Sequence, residues 1–384
     1  MKKRFIGKLE VSPIGMGCMG FSHGYGKIPE KQYSIEAIRK AYAFGCTFFD
    51  TAEVYGNELY WEGHNEEILG EAVESFRKNI VIATKLHIHD EEVTPNMDLY
   101  HLIKSHLEKS LKRLRTDYVD LYYLHRVNEF VPVEDVAYVM GKLIDEGLIK
   151  GWGLSQVDVD TLDKAHRVTP VTAVQNLYNI LERDCDDEIF PYCIEKNIGV
   201  VPFSPIASGF LSGKITAKTE FEKVDDVRKF VPQLTKENIE GNQPIVNILQ
   251  NYAKKKKATP AQISLAWMLK KYPNVVPIPG SKNQERIIEN LSAWDIELTD
   301  EEFYELQSAL DKCEIYGHRG IVETQQKIFS LFLISLFGLS SPASASPPRP
   351  RKPGCGWAAK SGSTHALPHR SAPPGAYDTA AAQR

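Results

Sequence analysis

The segment TFFDTAEVYG, residues 47–56, joins a short apolar run to a group of polar side chains. Residues 47–50 have the length and apolar character of a buried strand, and DTAEVYG follows directly. Buried parallel strands are typically continuous apolar runs, and in α/β barrels the active-site loops follow their carboxyl ends. The segment therefore predicts a parallel α/β fold with polar residues gathered at one end of its strands.

The same alternation of short apolar runs with amphipathic stretches continues along the chain for about eight pairs. The predicted strands are residues 12–17, 47–50, 80–84, 118–124, 149–154, 173–175, 199–203 and 275–277. Helical periodicity is plainest at residues 34–44, 99–114, 133–146 and 261–271. Thr259-Pro260 is a typical signal for the start of a helix. Such alternation leaves two architectures, an open doubly wound sheet or a closed barrel.

The sequence GMGCMG, residues 15–20, has the glycine spacing of a dinucleotide-binding turn. In the doubly wound fold that turn opens a helix that receives a pyrophosphate. Residues 21–29 contain Gly24, Gly26 and Pro29, which are typical of a loop. We therefore predict a (β/α)8 barrel over residues 1–320. Residues 214–241 form a long polar loop after the seventh strand, which we interpret as a functional loop that could act as a lid.

The composition changes abruptly beyond residue 320. Residues 328–339 are an apolar run that is too short to span a bilayer, and the following residues are rich in Pro, Ala, Ser and Gly. We predict that residues 321–384 are a disordered C-terminal tail outside the barrel. Two interpretations remain, an interaction tail and a translation artefact at the end of a reading frame, and we favour the second.

Charge and cysteine content exclude several classes of protein. The net charge is -4, and residues 321–384 carry seven Lys or Arg against two Asp or Glu, so the remaining chain is more acidic than the total. An acidic body argues against a nucleic-acid partner, and we interpret the basic run 254–257 as a solvated helix end. Six scattered cysteines suit a reducing compartment, and the N-terminus lacks the apolar region of a secretory signal. We expect a cytoplasmic protein without a membrane partner.

Three consecutive predicted strands end in ionisable residues, namely Asp50, Lys85 and His125. Each has an ordinary alternative explanation, as a helix cap, a solvated cation or a hydrogen-bonded core histidine. Apolar strands have no packing reason to end in such residues, so their coincidence favours a site, and Tyr55 lies within reach. A phenol has an ordinary pKa of about 10, which a nearby ammonium lowers by stabilising the phenolate.

These residues predict acid–base chemistry on a carbonyl group. Tyr55 would exchange a proton with the carbonyl oxygen, and Asp50 would keep Lys85 charged beside it. His125 would donate a hydrogen bond to the carbonyl or pass a proton through Tyr55. Since no side chain can deliver a hydride, reduction also requires a nicotinamide cofactor.

DTAEVYG, the lysine that ends ATK (83–85) and the histidine in YYLHR (122–126) resemble the tetrad motifs of the aldo-keto reductase superfamily. The resemblance extends from the first strand to about Gly320. It implies an NADP-dependent oxidoreductase that reduces an aldehyde or ketone to an alcohol. In that family Tyr55 would be the general acid–base, and Asp50, Lys85 and His125 would complete the tetrad.

The resemblance also implies where NADPH binds. GLSQ (153–156) and VQN (174–176) are similar to the segments that bond the nicotinamide carboxamide, Phe203 to the aromatic that stacks on its ring, and residues 204–213 to the pyrophosphate loop. Gln156 stands where the family usually has Asn and is a weaker candidate. The implied cofactor-binding residues are Gly20, Ser155, Gln156, Gln175, Phe203, Ser204, Pro205, Ile206, Ser208, Gly209, Leu211, Gly213, Lys214, Gly280, Ser281, Lys282, Arg286, Glu289 and Asn290.

The adenosine segment, PGSKNQERIIEN at residues 279–290, supplies two cations, Lys282 and Arg286. A 2′-phosphate needs a positive partner, whereas a 2′-hydroxyl is bound by an acidic residue, so NADPH is favoured over NADH. By the resemblance Phe21 and Trp61 line the substrate pocket, although a long loop at residues 60–64 departs from the family pattern. We predict no metal site, because His87-x-His89 lacks a third ligand at metal spacing.

A second function remains open at this stage, an NADPH-binding subunit that senses redox state with little turnover. The intact tetrad favours the enzyme. The identity of the small carbonyl substrate and the oligomeric state depend on features that the sequence does not determine.

Overall fold

The computed structural model describes residues 2–221 and 224–319 of the chain. An antiparallel hairpin of β1 (Arg4–Ile6) and β2 (Leu9–Val11) precedes a sheet of seven parallel strands that pair in chain order. The parallel strands are β3 (Met16–Gly17), β4 (Phe48–Asp50), β5 (Val81–Leu86), β6 (Leu121–Leu124), β7 (Trp152–Ser155), β8 (Ala173–Gln175) and β9 (Gly199–Val200). Every residue of β4 to β9 is buried, as expected of parallel strands covered by helices.

An eighth extended segment, residues 275–280, closes the sheet into a barrel. Val275 forms a parallel bridge with Val200 on β9, and Gly280 forms one with Gly17 on β3. Gly17 permits this approach, because a Cβ atom at that position would lie 2.9 Å from the carbonyl oxygen of Ile278. The two edges of the sheet therefore share one strand, and the predicted (β/α)8 barrel is confirmed.

Helices connect successive barrel strands and cover their outer surface. They are α1 (Lys31–Phe44), α2 (His64–Val73), α3 (Leu99–Leu114), α4 (Val133–Asp145), α5 (Val159–Val168), α6 (Ile189–Glu195), α7 (Lys236–Gly241), α8 (Gln243–Lys256), α9 (Pro260–Lys271), α10 (Gln284–Leu291) and α11 (Asp300–Asp311). The predicted start of α9 is confirmed, since Thr259 accepts a hydrogen bond from the Gln262 N–H and the Gln262 side chain bonds back to Thr259.

Several predicted strands are longer than the observed ones. Residues 118–124 form a ladder only from Leu121, and residues 149–154 only from Trp152, although Val119 and Ile149 are joined by an isolated bridge. Apolar character indicates burial, and Val119 and Ile149, which precede these ladders, are buried as well. The N-terminal hairpin was not predicted, because strands of three residues are too short for a pattern to emerge.

The predicted loop at residues 214–241 contains α7 and two short 3-10 turns, Val227–Phe230 and Pro232–Leu234. It is fastened to the loop that follows β3. The Asp225 carboxylate accepts a hydrogen bond from the Gly24 N–H at 2.8 Å. The main-chain carbonyl oxygen of Asp225 accepts one from the Gly26 N–H at 2.7 Å. The loops after the first and seventh barrel strands thus meet across the carboxyl end of the barrel.

The part of the chain that the structure describes contains no helix long and apolar enough to cross a membrane. The predicted disordered tail, with its apolar run at 328–339, lies outside the described residues.

Candidate active site

The structure brings the four residues of the predicted tetrad together at the carboxyl end of the barrel. Asp50 ends β4, Lys85 lies near the end of β5, and His125 directly follows β6. The Lys85 Nζ atom lies 2.5 Å from Asp50 Oδ1 and 3.2 Å from the Tyr55 hydroxyl. It also donates to the Thr51 carbonyl oxygen at 2.7 Å. The ammonium therefore contacts both the carboxylate and the phenol, as the sequence predicted.

Burial and charge act in opposite directions on these groups. Burial alone would lower the pKa of Lys85, but Asp50 and Tyr55 raise it above its ordinary value, so the amine stays charged. For Tyr55, burial raises the pKa and outweighs the lowering effect of Lys85. The expected effect of the ammonium is present, but the expected net lowering is wrong for this structure, because desolvation of the phenolate is the larger effect. The phenol is consequently protonated at neutral pH.

His125 lies with its ring edge-on to the Tyr55 ring, with the two centroids 5.8 Å apart. Burial lowers the pKa of His125 well below its ordinary value, and the charges of Arg126 and Lys85 add to this effect. The imidazole is thus neutral at physiological pH. Its Nδ1 atom is buried without a hydrogen-bond partner in the described part of the chain.

Residues predicted for the nicotinamide carboxamide adjoin the tetrad. Gln175, which ends β8, donates through Nε2 to Asp50 Oδ2 at 2.7 Å, so both Asp50 oxygens are engaged. Ser155 ends β7 and pairs with Gln175 in the sheet register. Gln156 uses its side-chain oxygen to accept a hydrogen bond from the Leu177 N–H at 2.6 Å. This contact engages the side chain of Gln156, the residue that stands where the family usually has Asn.

Two residues beside the tetrad were not predicted. Arg126 donates through Nη1 to the His125 carbonyl oxygen at 2.5 Å and to Ser155 Oγ at 3.1 Å. Its sequence signal was available, since Arg126 follows His125 directly at a strand end. His23 has its ring centroid 5.4 Å from that of Tyr55. It belongs to a glycine-rich loop whose conformation no sequence pattern defines.

The predicted pyrophosphate loop, residues 204–213, has an unusual backbone. Ser204, Ala207 and Ser208 have positive φ angles, as do Gly209 and Gly213. Positive φ costs a non-glycine residue about 1 kcal/mol or more, and such strain clusters at functional sites. The N–H groups of Ala207, Ser208 and Gly209 donate within the loop, to the Ser204 carbonyl oxygen, Ser204 Oγ and the Ile206 carbonyl oxygen.

The other residues predicted around this loop differ in burial. Phe203 is partly buried and packs against the core, and its N–H bonds to the Asn176 carbonyl oxygen. Leu211 is fully buried, and Lys214 is exposed. Pro205 and Ile206 lie in the turn that leads into the positive-φ residues.

In the predicted adenosine segment, Arg286 is exposed in the first turn of α10, which Asn283 caps by accepting a hydrogen bond from the Arg286 N–H. Lys282 instead donates through Nζ to the carbonyl oxygens of Tyr25 and Lys27, each at 2.6 Å. It therefore ties this segment to the loop after β3, a contact that the sequence did not predict. A cavity of about 300 Å³ lies here, lined by Lys27, Ile28, Pro29, Tyr33, Lys282 and Asn283.

The remaining predicted cofactor residues surround that segment. Gly20 faces Lys282, because a Cβ atom on Gly20 would lie 3.4 Å from Lys282 Cγ. Glu289 accepts a hydrogen bond from the Thr259 hydroxyl at 2.9 Å, and Asn290 is buried. Gly280 is part of the barrel closure, and Ser281 accepts a hydrogen bond from the N–H of Asn283.

The two residues predicted for the substrate pocket lie in different environments. Phe21 is 1% exposed and belongs to the main hydrophobic core. Trp61 is 53% exposed, packs edge-on against His64 with centroids 4.9 Å apart, and donates to Glu67 at 3.2 Å. The rings of His23 and His125 instead flank Tyr55.

Comparison with known proteins places this architecture in one family. The model of the aldo/keto reductase family matches residues 13–311. A probable aldo-keto reductase of Glycine max is 38% identical over 314 residues, which cover 81% of this chain and 88% of that protein. The glycerol dehydrogenase of Gluconobacter oxydans has a similar structure, with a TM-score of 0.71 and 27% identity, over 81% of this chain and 95% of that one.

An aldo-keto reductase of Klebsiella pneumoniae, solved in complex with NADPH, has a TM-score of 0.62 and 25% identity, over 80% of this chain and 95% of that one. The extent of the family match and the identity to the Glycine max protein go beyond a shared fold. The chain therefore belongs to the aldo/keto reductase family.

Proposed function

We propose that this protein is an NADPH-dependent reductase of aldehydes or ketones, with Tyr55 as the proton donor. The observation that carries the proposal is the position of the Lys85 ammonium, which contacts Asp50 Oδ1 at 2.5 Å and the Tyr55 hydroxyl at 3.2 Å. The related Klebsiella pneumoniae enzyme was crystallised with NADPH. Together these findings support hydride and proton transfer to a carbonyl group.

The described residues suit a nicotinamide cofactor. The loop at residues 204–213 has the backbone strain that is typical of functional sites, and the exposed Arg286 guanidinium suits a 2′-phosphate. Ser155 and Gln175 lie beside Asp50, where a carboxamide must bind if the ring is to reach Tyr55. Phe203 would stack on the ring, and Glu289 and Asn290 would contact the adenine. When bound, the cofactor supplies the hydride.

The side chains of this protein would then carry out the proton transfer. Tyr55 donates its hydroxyl proton to the carbonyl oxygen as negative charge develops there. The adjacent Lys85 ammonium stabilises the resulting phenolate, and Asp50 keeps that ammonium charged. The neutral His125 imidazole donates a hydrogen bond that orients and polarises the carbonyl.

The test measures NADPH oxidation with 4-nitrobenzaldehyde in the wild type and in Tyr55→Phe. General acid catalysis contributes roughly 10²- to 10⁴-fold, so we expect kcat to fall by at least about 100-fold while NADPH binding, followed by fluorescence, is retained. Tyr60→Phe is the matched control, because Tyr60 is 45% exposed in the same loop. Tight NADPH binding without turnover of any aldehyde or ketone by the wild type would contradict the proposal and favour a redox-sensing subunit.

A further inference from the structure

Arg126 carries a partly buried positive charge that no carboxylate neutralises. Its two hydrogen bonds within the described part of the chain, both through Nη1, go to neutral acceptors, the His125 carbonyl oxygen and Ser155 Oγ. In the described part of the chain it forms no ion pair, and its Nε and Nη2 groups make no hydrogen bond. Burial lowers the pKa of Arg126 to about 10. An unpaired charge in such an environment is unfavourable and marks a place where a ligand could bind.

A second guanidinium lies within electrostatic reach. The charge of Arg319 lowers the pKa of Arg126 further, after the larger effect of burial. The Arg319 Nε atom is buried without a hydrogen-bond partner among the described residues. Its backbone is fixed, since the Arg319 N–H donates to Glu182 at 2.8 Å and His318 bonds both Glu182 and Asp184. Burial lowers the pKa of Arg319 while the nearby Glu182 carboxylate raises it, whereas no carboxylate of the described chain acts in this way on Arg126. Arg126 is therefore the residue arranged for an anion, with a second positive charge within reach.

Arg126 adjoins the catalytic residues, because it donates to Ser155, whose sheet partner Gln175 bonds Asp50. Arg126 directly follows His125, and its charge lowers the pKa of Tyr55, although burial has the larger and opposite effect. Acidic groups border the mouth at two places, Glu58 at 3.4 Å from His23 Nδ1 and Asp90 and Glu92 near His87, but among the described residues none of them forms an ion pair with Arg126. An anionic part of a bound substrate would therefore meet Arg126 while its carbonyl group meets Tyr55.

The hydrogen bonds of Arg126 also indicate the shape of the anion. Because Nη1 is held by protein oxygens, the edge formed by Nε and Nη2 remains for a ligand. That edge presents two parallel N–H groups, which match the two oxygens of a carboxylate. A lysine ammonium is a single point charge, so it would not favour the two oxygens of a carboxylate over other anions in this way.

We propose that Arg126, assisted by Arg319, binds a carboxylate on the substrate, so that the preferred substrates are aldehydes or ketones that carry a carboxylic acid. This inference rests on the proposed function and extends it to a class of substrate. Arg126 touches the substrate but takes no part in proton or hydride transfer.

The test compares 4-formylbenzoate with its methyl ester, which has the same reacting aldehyde without the charge. We expect the wild type to favour the acid by about tenfold or more in kcat/KM, mainly through KM. Arg126→Met should reduce this ratio to about one, Arg126→Lys should restore part of it, and Arg319→Met should reduce it several-fold. Turnover of the ester in each variant measures any damage to the catalytic tetrad. Dividing kcat/KM for the acid by kcat/KM for the ester removes that damage from the comparison.

Equal kcat/KM for the acid and the ester in the wild type, or a preference that survives in Arg126→Met, would overturn the inference. Turnover of both substrates without a preference would leave the proposed function intact. If neither compound is reduced, the assay with 4-nitrobenzaldehyde decides the proposed function, and calorimetric titration of both compounds into the enzyme saturated with NADP+ decides the inference separately. Binding of the acid alone, lost in Arg126→Met, supports the carboxylate site, and equal binding of acid and ester excludes it.

Discussion

Lys85 shows how one residue can satisfy both the fold and the proposed chemistry. Its side chain is fully buried, yet its ammonium donates to three oxygens, those of Asp50, Thr51 and Tyr55. An ammonium has three donors, so none is left unsatisfied. The charge is tolerated in the barrel because it is paired, and the pair lies where a phenolate would form.

The pKa directions at Tyr55 and His125 predict a level pH profile for carbonyl reduction. Burial raises the pKa of Tyr55 above its ordinary value of 10, so the phenol keeps the proton it must donate until the solution is strongly alkaline. Burial lowers the pKa of His125 well below 6.5, so its imidazole stays neutral down to acidic pH. We expect kcat/KM for a neutral aldehyde to change less than about twofold between pH 6 and pH 9.

The measurement is steady-state NADPH oxidation with methyl 4-formylbenzoate, whose charge does not change over this range. A descending limb centred between pH 7 and pH 8 would show that the phenol or the imidazole titrates near neutrality, against the burial argument.

At the level of helices and strands, sequence patterns located the elements whose apolar residues follow a regular pattern. Helix α3 has the predicted bounds, and so does strand β8, because each is a clear apolar pattern with distinct ends. The tetrad was accessible for the same reason, since its residues follow strand ends that any parallel sheet brings to one edge.

Other contacts depend on loop conformation, which no pattern encodes. Lys282 reaches the carbonyl oxygens of Tyr25 and Lys27 only because the loop after β3 folds back toward it. The positive φ angles at Ala207 and Ser208 are equally hidden, since neither residue type favours them. Sequence could therefore place the catalytic end of the site but not the loops that shape its cofactor side.

Helix α3 supplies a pH-dependent element through His106. Its Nδ1 atom lies 3.0 Å from Glu53 and its Nε2 atom 2.9 Å from Glu92, so the imidazole bridges two carboxylates. Although burial alone would lower it, these carboxylates raise the pKa of His106 to about 9. A folded-state pKa above the unfolded value of about 6.5 gives stability that is complete below pH 6.5 and lost as the pH rises through 9. The contribution is about 3 kcal/mol at most.

Urea unfolding of the wild type at pH 6 and pH 9.5 measures this loss. We expect His106→Gln to be less stable than the wild type at pH 6 and to lose less stability between the two pH values. His101→Gln is the control, because His101 lies on the same helix with its side chain 77% exposed. The same pH dependence in the wild type and in His106→Gln would refute the role of this bridge.

In the whole molecule, polar contacts fasten the loops at the carboxyl end of the barrel to one another. Asp225 fastens the loops after the first and seventh barrel strands, and Lys282 fastens the first of these to the segment after the eighth. These contacts lie on the side where the proposed cofactor segments gather. Beside His125, Arg126 donates to Ser155 Oγ, and the Arg319 N–H donates to Glu182. Closure of the barrel through residues 275–280 brings the loops after the first, seventh and eighth strands to the end of the barrel that holds Tyr55.

The proposed preference for NADPH over NADH can be tested on the whole folded protein, since a ligand that binds only the native state stabilises all of it. At 100 times its Kd a ligand adds about 2.7 kcal/mol to the free energy of unfolding, which corresponds to a shift of several degrees in Tm for a domain of this size.

We expect NADP+ to raise the Tm of the wild type more than NAD+ does at the same concentration. Arg286→Gln should remove most of that difference while leaving the NAD+ shift, because only the 2′-phosphate distinguishes the two ligands. Arg167→Gln is the control, since that arginine is 77% exposed on α5. Equal shifts with both nucleotides in the wild type would show that the exposed Arg286 guanidinium does not select the phosphate.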